Sequence, residues 1–324
     1  MKLLYSRLAL AVAGLAFAVA AGAQGRYPEK TVKLVGGNFG GLPDTVTRLV
    51  AGKLGELWGQ PVVVENHPSS AGSLLAAEVV AKTTPDGYTL LFSDAQVVLI
   101  APFIYSKLPY DPKDLLPTAL AARAPLYLAV TKSLPVNNFR ELIALARAQP
   151  GKLNYGTSGI GSTHHLSMEY IKLALGIDIV HVPYKGSSAS VPALLGGQVE
   201  MAFSAYPSLA QHARTGAVKL LASNSSRRSV FAPDVPTVAE AADIPGYDFA
   251  PPIGLLAPIA VPRDIVNRIA VDVARAVKQP DVSSKMLALG IDPVGGSPEE
   301  YAAQLKSDGE RYAKALKAAG VKPE

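Results

Sequence analysis

Two long glycine-rich loops and a shorter third carry most of the side chains that could do chemistry. The first is Gly156-Thr157-Ser158-Gly159-Ile160-Gly161-Ser162-Thr163-His164. Glycines let a chain turn sharply and expose its amides, and Ser162 or Thr163 can cap a following helix. Free N–H groups at a helix start, with hydroxyls beside them, form a site for a carboxylate or phosphate. A capped helix after a tight turn would use the same residues, so spacing alone leaves both readings open. The loop is not a Walker A motif, since no lysine follows its last glycine, and its glycine spacing does not fit the dinucleotide fingerprint.

The second loop is Gly36-Gly37-Asn38-Phe39-Gly40-Gly41-Leu42-Pro43-Asp44. Pro43 suits a first helical turn, and Asp44 complements the helix dipole there. As a cleft wall, the loop would offer apolar contact from Phe39 and Leu42. Asp44 would need a ligand hydroxyl, a protonated group or a water. The third stretch, His181-Val182-Pro183-Tyr184-Lys185-Gly186-Ser187-Ser188, holds a lysine that suits a ligand carboxylate or a neighbouring acid equally well.

Catalytic patterns are weak. Gly-x-Ser-x-Gly is absent, because Gly156-Thr157-Ser158-Gly159-Ile160 lacks the final glycine. His164 and His165 are adjacent, so they diverge on a helix and cannot share a metal as an i, i+4 pair could. No metal site, cofactor or catalytic residue is expected.

The elements that position these loops alternate. Strands are expected at 31–35, 62–65, 88–92, 126–131, 153–155, 179–183, 199–204 and 219–222. Helices are expected at 44–57, 72–82, 97–105, 139–148, 162–175, 190–195, 264–277, 282–289 and 298–319. This alternation argues an α/β fold with mainly parallel sheets. Strand, glycine loop and helix start recur at 31–57 and 152–175, as two units of similar design would produce.

The first 23 residues read as a secretory signal peptide: Lys2 and Arg7, an apolar run over 8–20, then Ala21-Gly22-Ala23 before Gln24. No later stretch reaches the length of a membrane span. The chain has 324 residues, with 31 basic and 26 acidic side chains. Without Lys2 and Arg7 the balance is 29 against 26, or +3, with no dense basic run, so nucleic acid is a poor partner. There is no cysteine, hence no disulfide and no thiol nucleophile.

These residues carry a resemblance. Tyr27-Pro28-Glu29-Lys30, Gly40-Gly41-x-x-Asp44, Gly59-Gln60-Pro61-Val62-Val63-Val64-Glu65-Asn66 and Pro85-Asp86-Gly87-Tyr88-Thr89-Leu90 occur in order. Leu108-Pro109-Tyr110-Asp111-Pro112, Leu153-Asn154-Tyr155-Gly156 and His181-Val182-Pro183-Tyr184-Lys185-Gly186 follow. Leu194-Leu195-Gly196-Gly197-Gln198-Val199 and Pro233-Asp234-Val235-Pro236-Thr237 complete the set. Together they resemble the solute-binding proteins of tripartite tricarboxylate transporters, the Bug or TctC family.

The resemblance implies a periplasmic, two-lobed α/β receptor of the type II-like, Venus-flytrap kind. The expected lobes are 24–124 plus 228–324, and 125–227, joined by crossings near 122–126 and 223–229. It implies a small carboxylate between the two long glycine loops, with waters helping to hold it, and delivery to a permease of one large and one small membrane subunit. A monomer is expected. The ligand-contact candidates are Phe39, Gly41, Leu42, Asp44, Ser93, Thr157, Ser158, Ser162, Thr163, His164, Ser204 and Tyr206, with Phe203 also shaping the apolar part. Gly36-Gly37-Asn38-Phe39 and Leu42-Pro43 depart from the family's usual pattern, as does Ser204-Ala205-Tyr206, where many members carry an acid. More apolar surface suggests an aromatic or apolar-bodied mono- or dicarboxylate, terephthalate-like. The alternatives are an exported hydrolase using His164 or His165, and a sensor for a signalling partner.

Overall fold

The computed structural model describes residues 27–37, 39, 42–68 and 73–322, so the signal-peptide reading over 1–23 lies outside the described residues. The chain begins with β1 (Val32–Gly36), α1 (Leu42–Trp58), β2 (Val62–Asn66), α2 (Leu74–Ala81) and β3 (Thr89–Ser93). Two short helices, α3 (Gln96–Leu99) and α4 (Ala101–Ile104), precede β4 (Leu115–Arg123). Next come β5 (Leu126–Thr131), α5 (Phe139–Ala148), β6 (Asn154–Thr157), α6 (Thr163–Leu175) and β7 (Val180–Pro183). They are followed by α7 (Ser187–Leu195), β8 (Met201–Ala205), α8 (Tyr206–Arg214) and β9 (Val218–Ser223). The remainder is α9 (Val238–Ala242), β10 (Pro252–Pro258), α10 (Arg263–Lys278), α11 (Pro280–Ala288), β11 (Asp292–Gly296) and α12 (Pro298–Ala318).

These elements build two lobes, each around one sheet. The first sheet has the order β11-β4-β10-β3-β1-β2 and the second β7-β6-β8-β5-β9. The two-lobed α/β class is as expected, but each sheet is mixed. Among the described strands, β1 pairs in parallel with β2 and β3, and β6 with β7 and β8, where helical crossovers return the chain to the same end. β10 runs antiparallel to both β3 and β4, and β5 to both β8 and β9.

Both lobes are held by ordinary apolar burial. In the first, Val46, Val50 and Leu54 recur at helical spacing on α1 and pack with Leu34, Leu90 and Phe92 of the sheet. In the second, Phe139 and Leu142 of α5 and Leu166 and Ile171 of α6 share a core with Leu128, Tyr155 and Phe203. Each such large side chain contributes roughly 1.5–3 kcal/mol on burial.

The chain passes from the first sheet to the second between Arg123 and Leu126. The return comes later than the expected 223–229. Val238, Ile244, Tyr247 and Phe249 all pack in the second lobe's core, and the chain rejoins the first sheet only at Pro252. The apolar residues of α9 and its flanks find their partners on the second lobe, which holds the segment there. The two crossings are tied side by side: Ala124 N donates to Pro251 O at 3.1 Å. The Arg123 guanidinium clamps Asp248 through two bonds of 2.7 and 2.6 Å and donates to Ala250 O at 2.7 Å. A third connection is α12, which leaves the first lobe and buries Tyr312, Ala315 and Leu316 in the second lobe's core.

Candidate functional site

Between the lobes lies a cavity of about 170 Å³, lined from the first lobe by Leu42, Pro43, Asp94 and Gln96 and from the second by Ser158, Ser162, Thr163 and His164. The crossings supply Ala124, Leu126, Pro251 and Ile253. A second cavity of about 230 Å³ adjoins it, shares Pro43, Asp94 and Gln96, and reaches Asp44, Thr47, Asn66 and Ser73.

The second-lobe wall is the start of α6. β6 ends at Thr157, and the chain turns through Gly159 (φ 138°) and Gly161 (φ 73°), both in the region that favours glycine. Ser162 then caps the helix: its Oγ accepts from His165 N at 3.3 Å and donates to Gly159 O at 2.7 Å. Its carbonyl accepts from Leu166 N at 2.9 Å. The amides of Thr163 and His164, the first two of the helix, are left without an intrahelical acceptor. The positive end of the helix dipole therefore faces the cavity. Thr163 Oγ1 is buried without a hydrogen bond of good geometry, the Tyr312 phenol being a neighbouring polar group.

His164 links two hydroxyls. Its Nδ1 lies 2.9 Å from Ser158 Oγ and its Nε2 3.1 Å from Ser187 Oγ. Burial pushes its pKa down to about 4, so the ring is neutral at pH 7. A neutral imidazole donates through one nitrogen and accepts through the other. If Ser187 donates to Nε2, then Nδ1–H donates to Ser158 Oγ, and the Ser158 proton is left to donate into the cavity.

Beneath this wall sits a buried polar stack. His165 and His181 are stacked with ring centres 3.9 Å apart, and Tyr155 stacks on His181 at 5.0 Å. The Tyr155 hydroxyl donates to Glu169, which also accepts from Lys172 Nζ at 2.6 Å. His165 Nδ1 accepts from Gly161 N at 3.2 Å. Thr157 Oγ1 lies 2.7 Å from His181 Nε2. This stack fixes the strand end and loop from which the cavity groups project.

The first-lobe wall is different. Pro43 stands second in α1 and has no amide proton. The Asp44 carboxylate accepts from Arg48 at 3.1 and 3.2 Å and from Asn66 Nδ2 at 3.0 Å. Asp94 follows β3. Its Oδ2 accepts from Gln96 Nε2 at 2.6 Å, while Oδ1 has only longer contacts, 3.4 Å to Gln96 N and 3.5 Å to Ser93 Oγ. The next residue, Ala95, is left-handed (φ 60°), an uncommon conformation for a residue with a Cβ. Burial raises the Asp94 pKa from the ordinary carboxylate value. No lysine or arginine is among the described residues lining either cavity, and the His164 ring is neutral.

Of the expected contact residues, Leu42, Ser158, Ser162, Thr163 and His164 come together on the interlobe cavity, and Asp44 on the adjoining one. Gly41 lies outside the described residues. Thr157 is fully buried and spent on His181 and Gly159. Ser93 and Ser204 are also fully buried, and neither lines either of these two cavities. Ser204 sits opposite Tyr127 in the β5–β8 register. Tyr206 packs on Tyr127 and Phe231, and Phe203 lies in the second lobe's core, so neither shapes the cavity. Strand alternation explains both buried β8 side chains, since consecutive residues point to opposite faces. Phe39 is exposed and lines neither cavity. Lys185 is exposed as well.

Sequence reading missed Asp94 and Gln96, and Ser187 stood only within the third glycine stretch, outside the contact candidates. A signal for the first two exists: Asp94 stands just past the C-terminal end of a parallel strand, where ligand crevices of open α/β sheets form. Among the described residues no group of histidines and acids could hold a metal, and no helix is long and apolar enough to cross a membrane.

The profile of the tripartite tricarboxylate transporter family receptor matches residues 46–321. A relative from Pseudomonas sp. strain P51, named as a UPF0065 protein in the tcbD–tcbE intergenic region, is 35% identical over 278 residues, 86% of this chain and 82% of its own. The R. palustris protein Rpa4515, solved with adipate, is 35% identical at a TM-score of 0.73, covering 92% of this chain and 100% of its own. MatC from Rhodopseudomonas palustris, solved with bound malate, is 30% identical at a TM-score of 0.69, covering 90% of this chain and 100% of its own.

Proposed function

Because the chain belongs to the tripartite tricarboxylate transporter receptor family, whose members are receptors and not enzymes, we propose that it captures a small organic acid in the periplasm and delivers it to a membrane transporter. The hydrolase alternative is set aside by that membership. The carboxylate sits at the start of α6, held by the Thr163 and His164 amides and by the hydroxyls of Ser158 and Thr163. One observation carries this reading. The cavity between the lobes has open helix-terminal amides and hydroxyls on one wall and no lysine or arginine among its described lining residues. Helix-terminal amides and hydroxyls can bind a carboxylate without an ion pair. The solution of the two R. palustris relatives with adipate and with malate supports the same ligand class.

The body of the acid packs on Leu42, Leu126, Ile253, Pro43 and Pro251, which favours an apolar or aromatic frame over a hydroxylated one. Closure follows from contacts made to both lobes at once, because a ligand shifts two states only by its different affinity for them. The lobe division follows the sheets, with the crossings at Ala124 and Pro251 as the hinge.

A thermal-shift screen of unfolded and refolded protein against aromatic and aliphatic carboxylates tests the reading. An acid at about 100 times its dissociation constant adds roughly 2.7 kcal/mol of stability. A clear shift with some carboxylates and none with their methyl esters is expected. No shift across the panel would overturn the proposal.

A further inference from the structure

The geometry points to Asp94 as the residue that selects the far end of the ligand: the receptor takes acids with one carboxylate and a distal hydrogen-bond donor, an ammonium or hydroxyl, in preference to dicarboxylates. This rests on the carboxylate reading above and says what the other end must be.

Asp94 lines both cavities, at their junction and on the wall facing the start of α6. A carboxylate has roughly four acceptor positions. Only one is well used, by Gln96 Nε2 at 2.6 Å, and the contacts to Oδ1 are long, at 3.4 and 3.5 Å. No cation pairs with it among the described residues. The nearby Arg48 is engaged with Asp44 and with Asn66 Oδ1 at 2.9 Å. Asp94 therefore gives the first-lobe wall spare acceptor capacity, with no cation among the described residues to offset its charge when it ionises. The side chain is half-buried and its Oδ1 is held only by long hydrogen bonds, so a ligand donor would strengthen its hydrogen bonding.

An ionised Asp94 also argues against a second ligand carboxylate. An acid anchored by one end at α6 would bring its other end to this wall. A second anion there would meet Asp94 in a partly desolvated cleft with no lysine or arginine among the described lining residues. An ammonium or hydroxyl instead makes a charge-assisted hydrogen bond. This narrows the terephthalate-like expectation to its analogue with a donor in place of one carboxylate.

Two matched series test the inference by calorimetric titration of the stripped protein. The aromatic series is terephthalate, 4-(hydroxymethyl)benzoate, 4-(aminomethyl)benzoate and 4-methylbenzoate. The aliphatic series is adipate, 6-hydroxyhexanoate, 6-aminohexanoate and hexanoate. In whichever series binds, a donor member is expected to bind about tenfold or more tighter than the dicarboxylate. Asp94→Asn should shrink or reverse that ratio, and Asp94→Ser is the second variant should the first fail to fold. A dicarboxylate binding as tightly as the donor members, or a ratio unchanged in a folded Asp94 variant, would overturn the inference and leave the carboxylate receptor standing. No binding by any member of either series would overturn both.

Discussion

Two helix starts face the interlobe cleft, and they differ in what they offer. At α6, the first amides belong to Thr163 and His164 and have no intrahelical partner, and Ser158 and Thr163 add hydroxyls. At α1, the second position is Pro43, which has no proton to give, and the third is Asp44, whose carboxylate is already matched by Arg48 and Asn66. A strand, glycine loop and helix start thus leave open amides and hydroxyls in one lobe and a self-satisfied surface in the other. The lesson is that the motif does not decide function. The residues in the first helical turn do, because they determine whether the dipole's positive end is open to a ligand or occupied by the protein's own charge. The proposed ligand bridging such walls would be polar in a particular sense: acceptor toward α6, donor or neutral toward α1 and Asp94.

The comparison depends on the walls being held in register by the crossings, and the largest effect is expected there. Asp248→Ala should leave Arg123 buried without its partner and cost about 3–5 kcal/mol of stability, read by urea unfolding. An effect under 1 kcal/mol would show that the clamp does not fix the crossing. Next comes the α6 wall itself. Ser158→Ala should weaken carboxylate binding by about 1.5–3 kcal/mol if its hydroxyl meets the charged group, whereas Asp44→Asn should change carboxylate affinity far less. Equal losses in the two variants would erase the distinction between the walls.

The stability of the ligand-free protein should respond to pH through the second lobe. Burial holds His164 and His181 down at about 4, below the ordinary histidine value of 6.5. Between those values the unfolded chain binds protons that the folded chain does not, so stability falls as pH drops from about 6.5 to about 4 and levels off below. With partial exposure allowed for, a loss of about 1–3 kcal/mol is expected. His164→Asn and His181→Asn should each flatten the profile. A flat wild-type profile over that range would mean that the rings are charged in the folded state. The smallest effect is expected at Ser187, which lines neither cavity but bonds His164 Nε2. Ser187→Ala should weaken carboxylate binding by about 0.5–1.5 kcal/mol through the orientation of Ser158. Combined with Ser158→Ala, it should add nothing further.

Much of this was legible in the sequence for reasons that can be named. The helix over 139–148 was legible because its apolar spacing is regular, the strand over 126–131 because it is a short unbroken run of mostly apolar residues, and the start of α6 because Gly161-Ser162-Thr163 is a turn followed by a cap. The central strands β4 and β10 were not. β4 carries Pro117 and a run of alanines, and β10 holds Gly254 between prolines, so neither shows strand propensity. Their burial comes from tertiary packing: a side chain at Gly254 would strike Ala119 O at 2.4 Å. The same limit applies to the site. Ser158, Ser162, Thr163 and His164 are contiguous and could be found together. Asp94 joins them only through a fold that sets the end of β3 opposite the start of α6.

The central claim is that the carboxylate lies at the start of α6. Amide proton and nitrogen shifts of Thr163 and His164, followed while the tightest-binding acid of the panel is titrated in, test it most directly. These two amides are expected to move downfield more than any others near the cleft, along one saturating curve shared with Ser158. Shifts concentrated on the α1 and β3 side of the cleft, with Thr163 and His164 unmoved, would contradict it.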